Sequence, residues 1–177
     1  MKTLLMASVI LAFVSVPAFA ALKVGDPAPD FSAKASLGGK EFSFSLQKAL
    51  KKGPVVIYFY PSAYTKGCDL EAHTFAEEKG KFDAAGATII GVSSDDIATL
   101  KRFSVSECGS KFAVAADRDM HIIKAYDANL PLISYAKRTS YVIAPDRTVL
   151  YAYTDMDPEP HITNTLAALR KWQAEHR

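Results

Sequence analysis

The chain is poor in cysteine: two in 177 residues, Cys68 and Cys108, with no Cys-x-x-Cys pair. That excludes a multi-disulfide scaffold and the common zinc-ligand spacings. The four histidines, His73, His121, His161 and His176, share no ligand spacing. Each is expected at the surface or at a helix end, so no metal site is predicted. There is no glycine-rich phosphate loop, no dinucleotide fingerprint and no recognisable Ser-His-Asp arrangement. Neither charge dominates: 21 Lys and Arg against 19 Asp and Glu leave a formal +2, which argues against nucleic acid as a partner. The longest apolar run, residues 4–16, is too short to span a bilayer. Internal repeats and low-complexity tracts are absent as well.

That apolar run has another explanation. Lys2 precedes it and Ala18-Phe19-Ala20 follows it, a small-x-small cleavage pattern. Residues 1–20 therefore read as a signal peptide, and the mature chain is expected to start at Ala21, exported and without a membrane anchor. A retained N-terminal anchor is the alternative. Residues 21–177 suffice for one domain with one core. At 49% hydrophobic and 23% charged residues overall, the composition is that of a globular protein.

The alternation of short β-rich runs and helical stripes predicts α/β architecture with a mixed sheet. Residues 31–35 and 41–44 read as strands around Gly38-Gly39, an N-terminal hairpin. Strands follow at 55–59, 87–92, 112–116, 139–143 and 149–153. Helices are expected at 46–52, 66–85, from a Ser93-Ser94-Asp95 cap to about 108, and at 120–126. In the last helix Ile162, Leu166, Leu169 and Trp172 form the docking stripe.

The stretch from Val55 to Cys68 organises the rest. A β-branched and aromatic strand ends at Pro61, which has no N–H for a ladder. Thr65 is a good N-cap, and Asp69 and Glu71 suit a first helical turn. Cys68 then occupies the third helical position, where free N–H groups and the positive end of the helix favour a thiolate. Its bland alternative is a small buried hydrophobe. The cluster Tyr58, Phe59, Tyr60 and Tyr64 reads as mostly core, with the rings of Tyr60 and Tyr64 as candidates for the mouth of a pocket.

Pro61-x-x-x-Thr65-x-x-Cys68 resembles the active-site signature of the peroxiredoxins. The wording Phe59-Tyr60-Pro61, Gly67-Cys68 and Glu71-Ala72 is most similar to their peroxiredoxin Q, or bacterioferritin-comigratory, branch. The likeness runs from Val24 to the last helix. It implies a thioredoxin-like fold, where the pattern alone leaves flavodoxin-like folds open. It also implies a thiol peroxidase that needs no metal, haem or flavin. Cys68 would be the nucleophile, with Thr65 beside it to bond the peroxide and Pro61 to shield it. Arg138 opens a segment, Arg-Thr-Ser-Tyr-Val-Ile, similar to the one that carries the family's active-site arginine. Lys137 competes with it, but a fixed guanidinium fork suits the task better than a mobile ammonium.

Many relatives place a resolving cysteine five residues after the first; here that position is His73. Cys108, at the end of the following helix, is then a resolving thiol, half of a permanent disulfide, or inert. If it resolves, helix ends must unwind during turnover. The expected partners are a peroxide and a thioredoxin-like reductant, the expected location a bacterial periplasm, and the expected state a monomer or weak dimer. Two other readings stay open: an exported thiol-disulfide oxidoreductase, and a thioredoxin-fold metal carrier that is not an enzyme.

Overall fold

The structure is a computed structural model that describes residues 22–176. The expected leader, residues 1–20, lies outside the described residues. Seven strands form one mixed sheet in the order β2-β1-β5-β4-β3-β6-β7. They are β1 (Ser32–Leu37), β2 (Lys40–Ser45), β3 (Val55–Phe59), β4 (Thr88–Ser93), β5 (Ala113–Ala116), β6 (Thr139–Ile143) and β7 (Val149–Thr154). β3, β4 and β5 are parallel; β6 pairs antiparallel with β3, and the β1–β2 hairpin joins through an antiparallel β1–β5 contact. This is the expected α/β class with its hairpin extension.

β3 lies at the centre, and all five of its residues are buried. A strand covered on both faces carries an unbroken apolar run, which is why residues 55–59 do not alternate with polar ones. The alternation appears in what each side chain meets. Val55, Ile57 and Phe59 face one core, with Phe31, Leu46, Ile90, Tyr126 and Tyr141. Val56, Tyr58 and Tyr60 face the other, with Phe75, Phe82, Leu100, Phe103 and both cysteines. The Tyr58 ring lies over Gly91, its partner on β4; a Cβ there would stand 2.6 Å from the ring.

Among the described residues, six helices cover the two faces. α1 (Leu46–Leu50) and α5 (His121–Ala125) close the first core. α2 (Lys66–Glu77), α3 (Lys79–Ala84), α4 (Ile97–Ser106) and α6 (Glu159–Glu175) close the second. Ile162, Leu166 and Leu169 dock α6 as expected, while Trp172 is half-buried and stacks on His176.

The helix expected over 66–85 is two helices, broken at Glu78 with φ −82° and ψ 0°. Gly80 weakens the helix there. The Ala76 carbonyl accepts from Lys111 Nζ at 3.0 Å, so it is engaged from outside the helix. α4 also begins differently. Its cap is Asp96, whose Oδ1 accepts from Thr99 N at 2.7 Å, not the Ser93-Ser94-Asp95 run.

Candidate active site

The loop after β3 is held by Asp95. Its carboxylate accepts from Ser62 Oγ at 3.2 Å, from the Ala63 amide at 2.8 Å and from Ser93 Oγ at 2.8 Å. Asp95 is thus the anchor of residues 61–63, a role the sequence reading gave to helix capping. Tyr64 sits at φ 61°, a conformation that costs a non-glycine residue about 1 kcal/mol or more. Its ring contacts Phe103 edge-on, at 5.4 Å between centroids. Tyr64 is exposed as expected of a pocket mouth. Tyr60 is not: it is fully buried and stacks on Phe103.

Thr65 is the N-cap of α2, with φ −109° and ψ 142°. Its hydroxyl does not close the cap; it donates back to the Ser62 carbonyl at 3.0 Å. That uses its proton and leaves its oxygen as an acceptor. Pro61, half-buried, follows the last residue that β3 and its neighbours hold, Tyr60, whose amide donates to the Val92 carbonyl at 3.2 Å.

Cys68 is at the third position of α2 and 1% exposed. Arg138, directly before β6 and 3% exposed, reaches it across the sheet face: Nη2 donates to Cys68 Sγ at 3.6 Å. Two other bonds fix the guanidinium. Nε donates to the Met156 carbonyl at 3.1 Å, and Nη1 donates to Glu71 Oε2. Three of its five N–H groups are spent, and the two that remain are on the terminal nitrogens. Lys137 points elsewhere and pairs with Asp127 at 3.3 Å.

Glu71 and Gly67 are site residues that the sequence reading missed. Glu71 is fully buried and pairs with Arg138, where its sequence position predicts a solvated acid in the first turn. Burial outweighs the lowering by the Arg138 charge and hydrogen bond and leaves its carboxyl raised to about 8. The signal was there: an acid one turn after the thiol, adjoining Ala72 and near Phe75 on a face that is otherwise apolar. Gly67 leaves room for the arginine. A Cβ on it would stand 3.0 Å from Arg138 Nη2.

Cys108 lies just past the end of α4 and is fully buried; neither cysteine is in a disulfide. Burial, with Glu107 adding to it, pushes the Cys108 thiol well up, so it rests protonated. The segment around it meets α2 at two places. His73 Nε2 pairs with Glu107 at 3.0 Å, and Gly109 packs against Ala76. Those α2 residues lie roughly 7.5 and 12 Å along the helix axis from Cys68, at 1.5 Å per residue. A Cys68–Cys108 bond thus requires one segment to leave its place, as a disulfide spans at most about 7 Å between Cα atoms.

Among the histidines, His161 lies at a helix end as expected, in the first turn of α6, yet away from solvent. It is fully buried, with Nδ1 2.8 Å from Ser140 Oγ and Nε2 3.0 Å from the Asp155 carbonyl. Among the described residues no group of three or more His, Cys, Asp or Glu side chains is gathered as a metal would need, and no helix is long and apolar enough to cross a membrane.

The chain is similar to known proteins in sequence and in fold. Residues 24–152 match the AhpC/TSA family. A putative chloroplastic peroxiredoxin Q of Oryza sativa subsp. indica is 34% identical over 148 residues, 82% of this chain. The chain spans only 66% of that protein's length. A putative peroxiredoxin bcp of Helicobacter pylori is 30% identical over 154 residues, 84% of this chain and 98% of the relative. Among solved structures, the peroxidoxin BcpB of Mycobacterium tuberculosis superposes with a TM-score of 0.78 at 28% identity, covering 85% of this chain and 97% of that one. A peroxiredoxin Q of Xanthomonas campestris gives 0.70 at 26% identity, over 80% and 90%. The fold is thioredoxin-like, and the chain belongs to the AhpC/TSA family, with the peroxiredoxins of the Q and bcp type.

Proposed function

We propose that this protein is a thiol-dependent peroxidase that reduces hydrogen peroxide and organic hydroperoxides through Cys68. One observation carries the reading: a buried cysteine at a helix N-terminus accepts a hydrogen bond from a buried arginine that two other partners hold in place. A guanidinium bonds an anionic sulfur more strongly than a neutral one.

The thiolate attacks one peroxide oxygen; the S–O bond forms as the O–O bond breaks. Cys68 becomes a sulfenic acid, and the hydroxide or alkoxide leaves and takes up a proton as water or alcohol. The unspent N–H groups of Arg138 face the charge that develops on the oxygens, and the Thr65 oxygen accepts the peroxide proton. Pro61 shields the thiolate from the side of the loop.

Cys108 then resolves the intermediate. Its sulfur attacks the sulfenic sulfur, water leaves, and an internal disulfide forms, which a thioredoxin-like dithiol reduces. The signal-peptide pattern supports action after export, in a bacterial periplasm; the assembly we propose is a monomer or weak dimer. An oxidoreductase of the Cys-x-x-Cys type lacks its second thiol here. A metal carrier lacks a second soft ligand by Cys68, whose polar neighbour is instead a cation, Arg138.

Mass spectrometry of non-reduced protein after one equivalent of peroxide tests the scheme. The expected product is two hydrogens lighter, with Cys68 linked to Cys108. Unchanged wild-type thiols, or full peroxidase activity in Cys68→Ser, would overturn it. A stable sulfenic acid would leave Cys108 inert and assign resolution to an external thiol.

A further inference from the structure

The Met156 carbonyl that receives Arg138 Nε belongs to the turn between β7 and α6. Short Asp contacts shape that turn: the Asp157 amide donates to Asp155 Oδ1 at 2.9 Å, and the Glu159 amide to Asp157 Oδ1 at 3.2 Å. Both are exposed and local, and neither ties the turn to the interior. His161 does. Its Nε2 is 3.0 Å from the Asp155 carbonyl, one residue before Met156.

The chemistry of the partners fixes the proton. A carbonyl oxygen only accepts, so Nε2 carries the hydrogen. In the neutral ring Nδ1 is then an acceptor, and Ser140 Oγ, 2.8 Å away, must donate to it. Ser140 is fully buried on β6, two residues after Arg138. The imidazole therefore ties together the backbone on both sides of the guanidinium: the strand that carries Arg138 and the turn that receives its Nε. Tyr153 covers the ring edge-on, at 4.9 Å between centroids. Burial lowers the His161 pKa and the nearby Arg138 charge acts the same way; the Asp155 carbonyl bond and the Asp155 and Asp157 charges oppose them.

We propose that His161 is a positioning residue of the peroxide site: neutral, with its proton on Nε2, it holds the turn whose Met156 carbonyl aims Arg138 at Cys68. The assignment rests on the peroxidase reading, yet part of its test does not. On isotope-labelled, reduced protein, nitrogen NMR reads the His161 tautomer and the Arg138 Nε–H signal directly. At neutral pH the ring should be neutral with its hydrogen on Nε2, and the Arg138 Nε–H should exchange slowly. A charged ring, or a hydrogen on Nδ1, overturns the proposal.

Two variants follow. His161→Gln keeps a donor toward Asp155 and should retain both the Arg138 signal and the rate of Cys68 oxidation within a few-fold. His161→Phe keeps the bulk without the donor. It should broaden or lose the Arg138 signal and slow oxidation of Cys68 by peroxide on the order of tenfold or more, the scale of a misplaced catalytic group. Wild-type oxidation in a folded His161→Phe, or an unaltered Arg138 signal, overturns the proposal. If His161→Phe does not fold, the wild-type tautomer and His161→Gln decide. If wild-type Cys68 itself ignores peroxide, the peroxidase reading fails while the NMR result still judges the positioning.

Discussion

Nη2 of Arg138 stands 3.0 Å from the point at which a side chain on Gly67 would begin. Gly67 is the second residue of α2, and in a helix alanine is intrinsically the better residue, by up to about 1 kcal/mol. The glycine has its use in the site, not in the helix. Gly67→Ala should unfold at equal or higher denaturant concentration while losing on the order of tenfold in the rate of Cys68 oxidation, because the guanidinium must move. Denaturant titration and stopped-flow peroxide consumption on the same preparation check it; a fully active variant contradicts it.

Arg138 and Glu71 are buried together, so removing one strands the other. Above about pH 8, where the Glu71 carboxyl is ionised, Arg138→Met should destabilise the protein by about 3–5 kcal/mol, the usual result of leaving a buried charge unpaired. Adding Glu71→Gln to it should recover much of that stability and none of the peroxidase rate. Recovery of both would mean that the arginine acts only in folding.

The same carboxyl sets a pH dependence. Its folded pKa, about 8, lies above the ordinary 4.5. Between those values the folded chain keeps a proton that the unfolded chain has released. Glu71 therefore costs no stability below about pH 4.5, costs progressively more up to about pH 8, and a constant amount above. Stability in Glu71→Gln minus that in wild type should rise across this window and level off beyond it. Urea titrations at unit pH steps measure it, and a flat difference refutes the assignment.

Much of this site is legible in the residues. Pro61, Thr65 and Cys68 are local to one strand-loop-helix passage, and strand 139–143, with Arg138 directly before it, carries its own β-rich signature. What is not legible depends on contacts distant in the chain. Asp95 looks like a helix cap until the fold brings Ser62 and Ala63 to it. Glu71 looks like a dipole acid until Arg138 arrives from 67 positions away. His161 stands in the first turn of a helix, ordinarily a wet position, and only the packing of α6 on β6 and β7 buries it.

Resolution by Cys108 should be governed by the contacts that hold its segment to α2. His73 and Glu107 form a partly exposed pair, worth about 0.2–1 kcal/mol. His73→Gln or Glu107→Gln should therefore speed disulfide formation by about two- to fivefold, with the peroxide step unchanged. Quenched-flow mass spectrometry separates the two steps. Oxidised protein should also exchange amide hydrogens faster than reduced protein in residues 103–111 or in the first turns of α2; superimposable exchange profiles would count against the scheme.

The interruption at Glu78 bears on how far such an opening spreads. Helical segments melt cooperatively, and a break in the backbone ladder is a natural boundary between cooperative units. α3 keeps its own anchor, Phe82, fully buried in the second core. Fraying that begins at Cys68 can consume α2 and stop there. The chain thus confines each catalytic opening to a twelve-residue fuse, leaving α3 and its Phe82 anchor in place.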